Sequence, residues 1–311
     1  MSLDPRLRLR HFTTFMEVAR VGSIVAAAEA LHVTQPAISK TLRELEEILG
    51  RPLFDRVGRG LRLNSAGASF QKLTGAALGD LNRAQAAVRG SEAGRVKLAV
   101  GTLPTAASQL LPQAALALRE DLPHVALRVS TGPNWLLLSQ LREGGLDLVV
   151  GRMADPDQMA GLSFQQLYPE DIVAVVRPDH PLERLEPPDS FFDYPLILPP
   201  SGAVINPTVR GYLVSVGAGA VLPAYETVAL AFGRHILQSS DAIWFISNGV
   251  VAEEVRLGTL RVVPLEHPMM AGPVGISLRA DRVQSPELSA LVAALHRTAA
   301  NSDWAQGTSA S

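Results

Sequence analysis

Cysteine is absent from the 311 residues. Disulfides, thiolate metal sites and cysteine nucleophiles are thereby excluded, and a reducing compartment suits the chain. No run of about 18 apolar residues occurs, the length a spanning helix needs. The opening MSLDPRLRLRHF carries no apolar core of signal-peptide length, so the expectation is a cytoplasmic protein without membrane contact. Enzyme signatures are also missing. There is no GxSxG elbow, P-loop or HExxH, and VGAGAV lacks the third glycine and following acid of a dinucleotide fingerprint. Histidines 11, 32, 124, 180, 235, 267 and 296 are scattered without metal-ligand spacing. No catalysis, no metal and no cofactor are expected.

The chain also lacks a charge excess that would mark a uniformly basic nucleic-acid binder, since its net charge is −2. The distribution is uneven, however. Residues 1–64 hold ten Arg/Lys against seven Asp/Glu, a net +3, and the remainder carries −5. Any surface for a polyanion therefore belongs to the N-terminal part. An apolar fraction of 47% with 19% charged residues describes a folded chain, and its length suits two or three domains.

Residues 5–63 read as mostly helix plus one hairpin. A first helix over about 6–20 carries Leu9, Phe12, Phe15, Met16 and Ala19 at helical spacing. Gly22-Ser23 interrupts it, and Ser23 can cap a second helix whose stripe is Ile24, Ala27, Ala28 and Leu31. Thr34 caps a third, Pro36 is tolerated in its first turn, and Gly50 ends it. At about 100° per residue, Ile38, Leu42, Leu45 and Leu49 fall on one face of that third helix. Pro36, Ser39, Lys40 and Arg43 fall opposite, with Gln35 in the exposed first turn. These groups suit base edges and phosphates in a major groove, and they equally suit a solvated outer face. Glu44 and Glu47, expected to be exposed, count against DNA contact by the distal half. PLFDRVGRGLRL follows as two strand-like runs, whose Arg56, Arg59 and Arg62 suit backbone or minor-groove contact.

In residues 64–90, Ala66, Phe70, Leu73, Ala77, Leu81, Ala84 and Val88 recur at steps of three and four. This is one long helix with Asn64 at its start, which packs against another copy or bridges domains, or else serves as an ordinary core helix. From Arg95 onward, β-rich runs such as RVKLAVGT, LDLVVG, DIVAVVRP and AIWFISN alternate with helical stretches. The alternation predicts α/β architecture with largely parallel sheets in two lobes. Ligands in such domains collect at the carboxyl ends of strands. The polar groups there are Thr102, Thr105, Asn134, Arg152, Ser201, Asn206, Thr227, Ser247 and Asn248, each equally readable as a structural cap. Arg152 could pair with a carboxylate, and Trp135, Tyr225 and Phe232 could stack on an aromatic ring.

The run GSIVAAAEALHVTQPAISKTLRELEEILGRPLFDR closely resembles the winged helix-turn-helix of LysR-type transcriptional regulators. AAAEALHVTQPAISK, LRELEEILG and PLFDR match in order and spacing, and the resemblance extends over the whole chain. Val25 and Ala26 depart from the hydroxyl and basic residue frequent there, and Asn64 replaces a Thr while keeping the capping chemistry. The resemblance implies an N-terminal all-α winged helix-turn-helix over 1–63 and a linker and dimerisation helix over 64–92. A C-terminal α/β, two-lobed effector domain like periplasmic binding proteins follows over 93–300, and a flexible tail over 301–311. Its lobe I would span about 93–167 and 268–300, and its lobe II about 168–267.

By the same resemblance Gln35, Pro36 and Ser39 would read bases, with Thr34, Lys40 and Arg43 near the backbone and Arg56 in the minor groove. The implied partners are double-stranded DNA with an interrupted palindrome, a second and fourth copy of the chain, RNA polymerase and a small effector. The effector would lie between the lobes, which raises Thr102, Thr105, Ser201 and Thr227 above the other candidates. GTLPTAASQLLP and DIVAVVRPDHPL resemble the subgroup governing protocatechuate catabolism, implying an inducer-dependent activator and an aromatic or muconate-like carboxylate. A related group responds to sugars. A solute-binding protein is the competing reading of the two-lobed half, and it would not begin with a winged helix pair.

Overall fold

The structure, a computed structural model, describes residues 4–58, 60–88, 96–185, 189–265 and 270–302. Two compact units form: Met1–Ser91 with Arg142–Gly145, and Glu92–Leu141 with Leu146–Ser311. Arg59, residues 89–92 of the expected linker and 303–311 of the expected tail lie outside the described residues.

The first unit contains α1 (Leu9–Val21), α2 (Ile24–Ala30) and α3 (Gln35–Leu49), then β1 (Phe54–Val57), β2 (Gly60–Leu63) and α4 (Ser65–Val88). Helix α1 begins later than its periodicity suggests, because Asp4 accepts from both the backbone and guanidinium of Arg6 in a turn ahead of it. Leu7 packs on the core from that turn, and Leu9 is exposed. The other boundaries follow local chemistry. Ser23 accepts from the Ala26 N–H, α3 ends at Gly50, and Asn64 accepts from the Gly67 N–H at 2.9 Å. Phe15, Val18, Ala27, Ile38, Leu45 and Leu53 form the core, each large side chain contributing about 1.5–3 kcal/mol by burial. Phe70 of α4 meets Phe15 edge-on at 5.0 Å, so the start of the long helix belongs to this core.

In the second unit, β3 (Val96–Thr102), α5 (Pro104–Ser108), α6 (Leu110–Asp121), β4 (Val125–Thr131), α7 (Asn134–Arg142) and β5 (Leu148–Arg152) lead into the 15-residue strand β6 (Leu162–Val176). Then come α8 (Ser190–Asp193), β7 (Leu196–Leu198), α9 (Asn206–Ser215), β8 (Tyr225–Glu226), α10 (Leu230–Ser239) and β9 (Ile243–Ser247). The chain closes with α11 (Asn248–Arg256), β10 (Arg261–Val263), β11 (Ala271–Arg279) and α12 (Pro286–Ala300).

The strand order is β4-β3-β5-β11-β6-β9-β7-β8, with β10 on β6. Contrary to the expectation of largely parallel sheets, β11 runs antiparallel to β5 and β6, and β6 runs antiparallel to β9 and β10. Among the described residues, only β3 with β4 and β5, and β7 with β8 and β9, are parallel. The reason is β6 itself. Its first half pairs with β11 beside a core of Leu98, Val100, Leu148, Ile276 and Leu295, and its second half pairs with β9 beside a core of Ile172, Ile197, Trp244 and Phe245. One strand thus joins two cores, and Pro169–Asp171 mark the crossing between Tyr168 in the first and Ile172 in the second.

Candidate functional sites

On α3, Ile38, Leu42 and Leu45 are buried, whereas Gln35, Pro36, Lys40 and Arg43 are exposed and Ser39 is half-buried. Thr34 occupies the N-cap with its carbonyl accepting from Ala37 and Ile38, but its hydroxyl makes no capping bond. That hydroxyl joins the exposed polar face. No hydrogen bond to a described residue ties down Gln35, Ser39 or Arg43, so their donors and acceptors face water.

Glu44 corrects the expectation. It is half-buried, and its carboxylate accepts from Arg10 at 3.0 Å and lies 3.4 Å from His11 Nε2, with Lys40 Nζ at 3.9 Å. His11 is buried with Nδ1 accepting from the Arg8 N–H, which leaves Nε2 as the nitrogen that donates toward Glu44. The His11 hydrogen bond, then the charges of Arg10 and Lys40, hold the Glu44 carboxyl below its ordinary value against partial desolvation. Glu44 therefore pins α3 to α1, and only Glu47 of the distal pair stands fully exposed.

The hairpin separates two of its arginines. Register pairs Asp55 with Arg62 and Arg56 with Leu61, so Arg56 and Arg62 occupy opposite faces, both exposed. Arg62 stands across from Asp55, and Arg56 shares its face with Phe54 and Leu61. The third, Arg59, is not among the described residues.

In the second unit, β3, β5 and β9 end near the crossing of β6, and four side chains meet there. Arg152 donates from Nε to Ser247 Oγ at 2.8 Å and from Nη2 to the Glu170 carbonyl at 2.9 Å, with Glu170 Oε2 at 3.2 Å. Glu170 Oε1 accepts from the Thr105 hydroxyl and, at 3.1 Å, from the Gly249 N–H at the start of α11. Both charged side chains are over nine-tenths buried. Two glycines give them room. A Cβ on Gly249 would lie 2.4 Å from Glu170 Oε1, and one on Gly272 would lie 2.5 Å from Arg152 Nη1. Burial pushes the Arg152 guanidinium below its ordinary value, opposed by the charge of Glu170. Burial, then the same carboxylate, pushes the Tyr168 phenol far up.

The structure thus brings Thr105, Arg152 and Ser247 together around Glu170, a residue sequence reasoning missed. The other candidates are disposed differently. Thr102 is fully buried with its hydroxyl on the Leu103 carbonyl, and the Asn206 amide donates to the Pro199 carbonyl at 2.7 Å. Asn134 is buried at the first turn of α7, and its amide nitrogen has no hydrogen bond among the described residues. The Thr227 hydroxyl accepts from the Ala229 N–H, Asn248 is half-buried and Ser201 is exposed. Trp135 is exposed, and the exposed rings of Tyr225 and Phe232 face each other edge-on at 5.8 Å. Among the described residues, no group of three His, Asp or Glu could hold a metal, and no helix is long and apolar enough to cross a membrane.

A winged helix pair ahead of a long helix and a two-core α/β unit defines a class, and the chain belongs to the LysR family of bacterial transcriptional regulators. Residues 9–68 match the family described as "Bacterial regulatory helix-turn-helix protein, lysR family", and residues 89–300 match the "LysR substrate binding domain". Within the family it is PcaQ-like. It is 45% identical over 303 residues to the HTH-type transcriptional regulator PcaQ of Agrobacterium fabrum, covering 96% of each chain. Among solved structures, ArgP from Mycobacterium tuberculosis superposes with a TM-score of 0.66 at 18% identity, covering 95% of this chain and 98% of that one. Full-length CbnR "complexed with the target DNA complex" gives 0.60 at 21%, covering 94% and 100%. The protein is a regulator and not an enzyme.

Proposed function

We propose that this protein is an inducer-dependent activator of genes for aromatic-acid breakdown, of the protocatechuate and β-ketoadipate kind. The observation that carries this reading is the 45% identity to PcaQ across 96% of both chains, a level at which site and scaffold are compared together. The exposed polar face of α3 supports its output half. Gln35, Pro36 and Ser39 read bases in the major groove, Thr34, Lys40 and Arg43 hold the flanking backbone, and Arg56 reaches the minor groove from the wing. Arg62, exposed on the other hairpin face, contacts the phosphate backbone.

On α4, Leu73, Ala77, Leu81 and Ala84 are exposed on one stripe, which supports an antiparallel pairing with a second copy and an interrupted palindrome as the operator. Dimers pair into a tetramer, RNA polymerase is the downstream partner, and the cytoplasm is the compartment where such DNA is met. The effector is a small aromatic or muconate-like carboxylate held where β3, β5 and β9 end, near Thr105, Arg152 and Ser247, with Ser201, Thr227 and Asn248 on the approaches. Calorimetry of the full chain with protocatechuate, 4-hydroxybenzoate, carboxymuconate and galactose tests the class of inducer. Binding of an aromatic or muconate acid that also raises transcription from the operator is expected. Binding of galactose alone overturns the aromatic-acid reading.

A further inference from the structure

Beside α3 lies an open groove of about 420 Å³. Arg6, Arg8 and Arg10 line it from the segment that enters α1, and Glu44, Glu47 and Ile48 line it from the distal half of α3. Its charges do not cancel. Arg6 is taken up by Asp4 at 2.8 Å, and His11, whose Nδ1 accepts from the Arg8 N–H, adds no charge. Glu44 is one carboxylate between two cations, with Arg10 on Oε2 and Lys40 on Oε1. Arg8 is exposed and forms no ion pair with a described residue. Arg8, Arg10, Lys40 and Arg43 therefore face only Glu44 and Glu47, an excess of two positive charges.

We propose that this groove is a second contact for the DNA backbone, in which Arg8, with Arg10 beside it, grips a phosphate beyond the one at Lys40. Continuity favours DNA as the occupant. Arg10 and Lys40 hold opposite oxygens of the same carboxylate, so the cationic row of α3 runs on to α1 without a gap. Neighbouring like charges with too few counter-ions repel one another, and a phosphate relieves that repulsion. The guanidinium fork of Arg8 matches two phosphate oxygens. Such a contact adds affinity and fixes the register of the domain on the duplex, and it carries no sequence information. The proposal rests on α3 facing DNA and extends that interface to a helix outside the helix-turn-helix pair and wing.

Fluorescence anisotropy of the full chain on specific and scrambled operator DNA, over a series of salt concentrations, tests this. Arg8→Ala is expected to weaken both DNAs alike, by about three- to tenfold, and to lower the salt slope by about one. Arg8→Lys should keep the slope, and Arg119→Ala, which removes the same charge from an exposed site of the second unit, should leave it unchanged. Phosphate-ethylation interference should show that Arg8→Ala loses sensitivity at a phosphate other than the one lost in Arg43→Ala. An unchanged slope in Arg8→Ala overturns the proposal and leaves the groove to an acidic segment of a protein partner. An equal loss in Arg119→Ala, or an ethylation pattern identical to that of wild type, overturns it too. Failure of the α3 reading looks different. Binding unaffected by Gln35→Ala and Arg43→Ala, with the slope still lowered in Arg8→Ala, removes that reading and keeps the groove contact.

Discussion

Along α3, Gln35, Lys40 and Arg43 stand in water with most of their bonding capacity unused, and the apolar side of the helix together with the Glu44 contacts to α1 fixes their position. Where the two cores of the second unit meet, Arg152, Glu170, Thr105 and Ser247 are buried and bond to one another across strands and helices far apart in sequence. The first arrangement suits a large, charged and externally shaped partner such as DNA, which brings its own counter-charges. The second suits a small partner that must satisfy a few fixed, desolvated groups. One surface is open and tolerant, and the other is closed and exacting.

That contrast breaks most visibly at Arg152. Arg152→Met leaves the buried Glu170 carboxylate without its counter-ion and should destabilise the protein by about 3–5 kcal/mol. Urea unfolding followed at Trp244, which lies in the second core, measures it. A loss below about 1 kcal/mol, the range of an exposed pair, would make the junction no different from the surface.

A smaller effect is expected in the first unit from Asn64→Ala, about 1 kcal/mol. That change removes the cap on Gly67 and the bond to the Pro52 carbonyl at 3.0 Å. The loss should appear in the urea midpoint together with weaker DNA binding, since α4 and the hairpin are tied there. An unchanged midpoint contradicts the cap.

The smallest effect concerns Glu44. Its carboxyl is held below its ordinary value in the folded state, first by the His11 hydrogen bond and then by Arg10 and Lys40. A depressed carboxyl stabilises fully above its unfolded value of about 4.3, and that contribution disappears as pH falls through the folded value. The stability difference between wild type and Glu44→Gln should therefore be present near neutrality and fade below about pH 4. A difference that stays constant over the acid range would mean that Glu44 does not pin α3 through its charge.

How far each region was legible in the sequence follows from the same contrast. The first unit is built from local rules. Ser23, Asn64 and Gly50 set helix ends from within a few residues, and the Ile38, Leu42, Leu45 stripe announces which side of α3 is buried. Glu44 escaped because its partners lie on α1, more than thirty residues earlier. The opposite facing of Arg56 and Arg62 needed the hairpin register.

The second unit depends on distant pairings. Thr105 and Glu170 are 65 residues apart, and Arg152 and Ser247 are 95 apart. Strand β6 was legible only in its apolar half, DIVAVV. Its first half carries polar residues because it faces β11 at the edge of one core before entering the other. A signal for Glu170 was present nonetheless. Tyr168, Glu170 and Ile172 alternate in one register and all three are buried, so an acidic residue stood on the inward side of a strand.

In the function proposed above, the open face of α3 reads sequence while its flanking cations supply general affinity. The measurement that tests it is fluorescence anisotropy on specific and scrambled operator DNA at matched salt, with wild type, Gln35→Ala and Arg43→Ala. Gln35→Ala should lose about 1–3 kcal/mol of discrimination between the two DNAs. Arg43→Ala should weaken both alike and lower the salt slope by about one. Unchanged specific binding in both variants would contradict the claim.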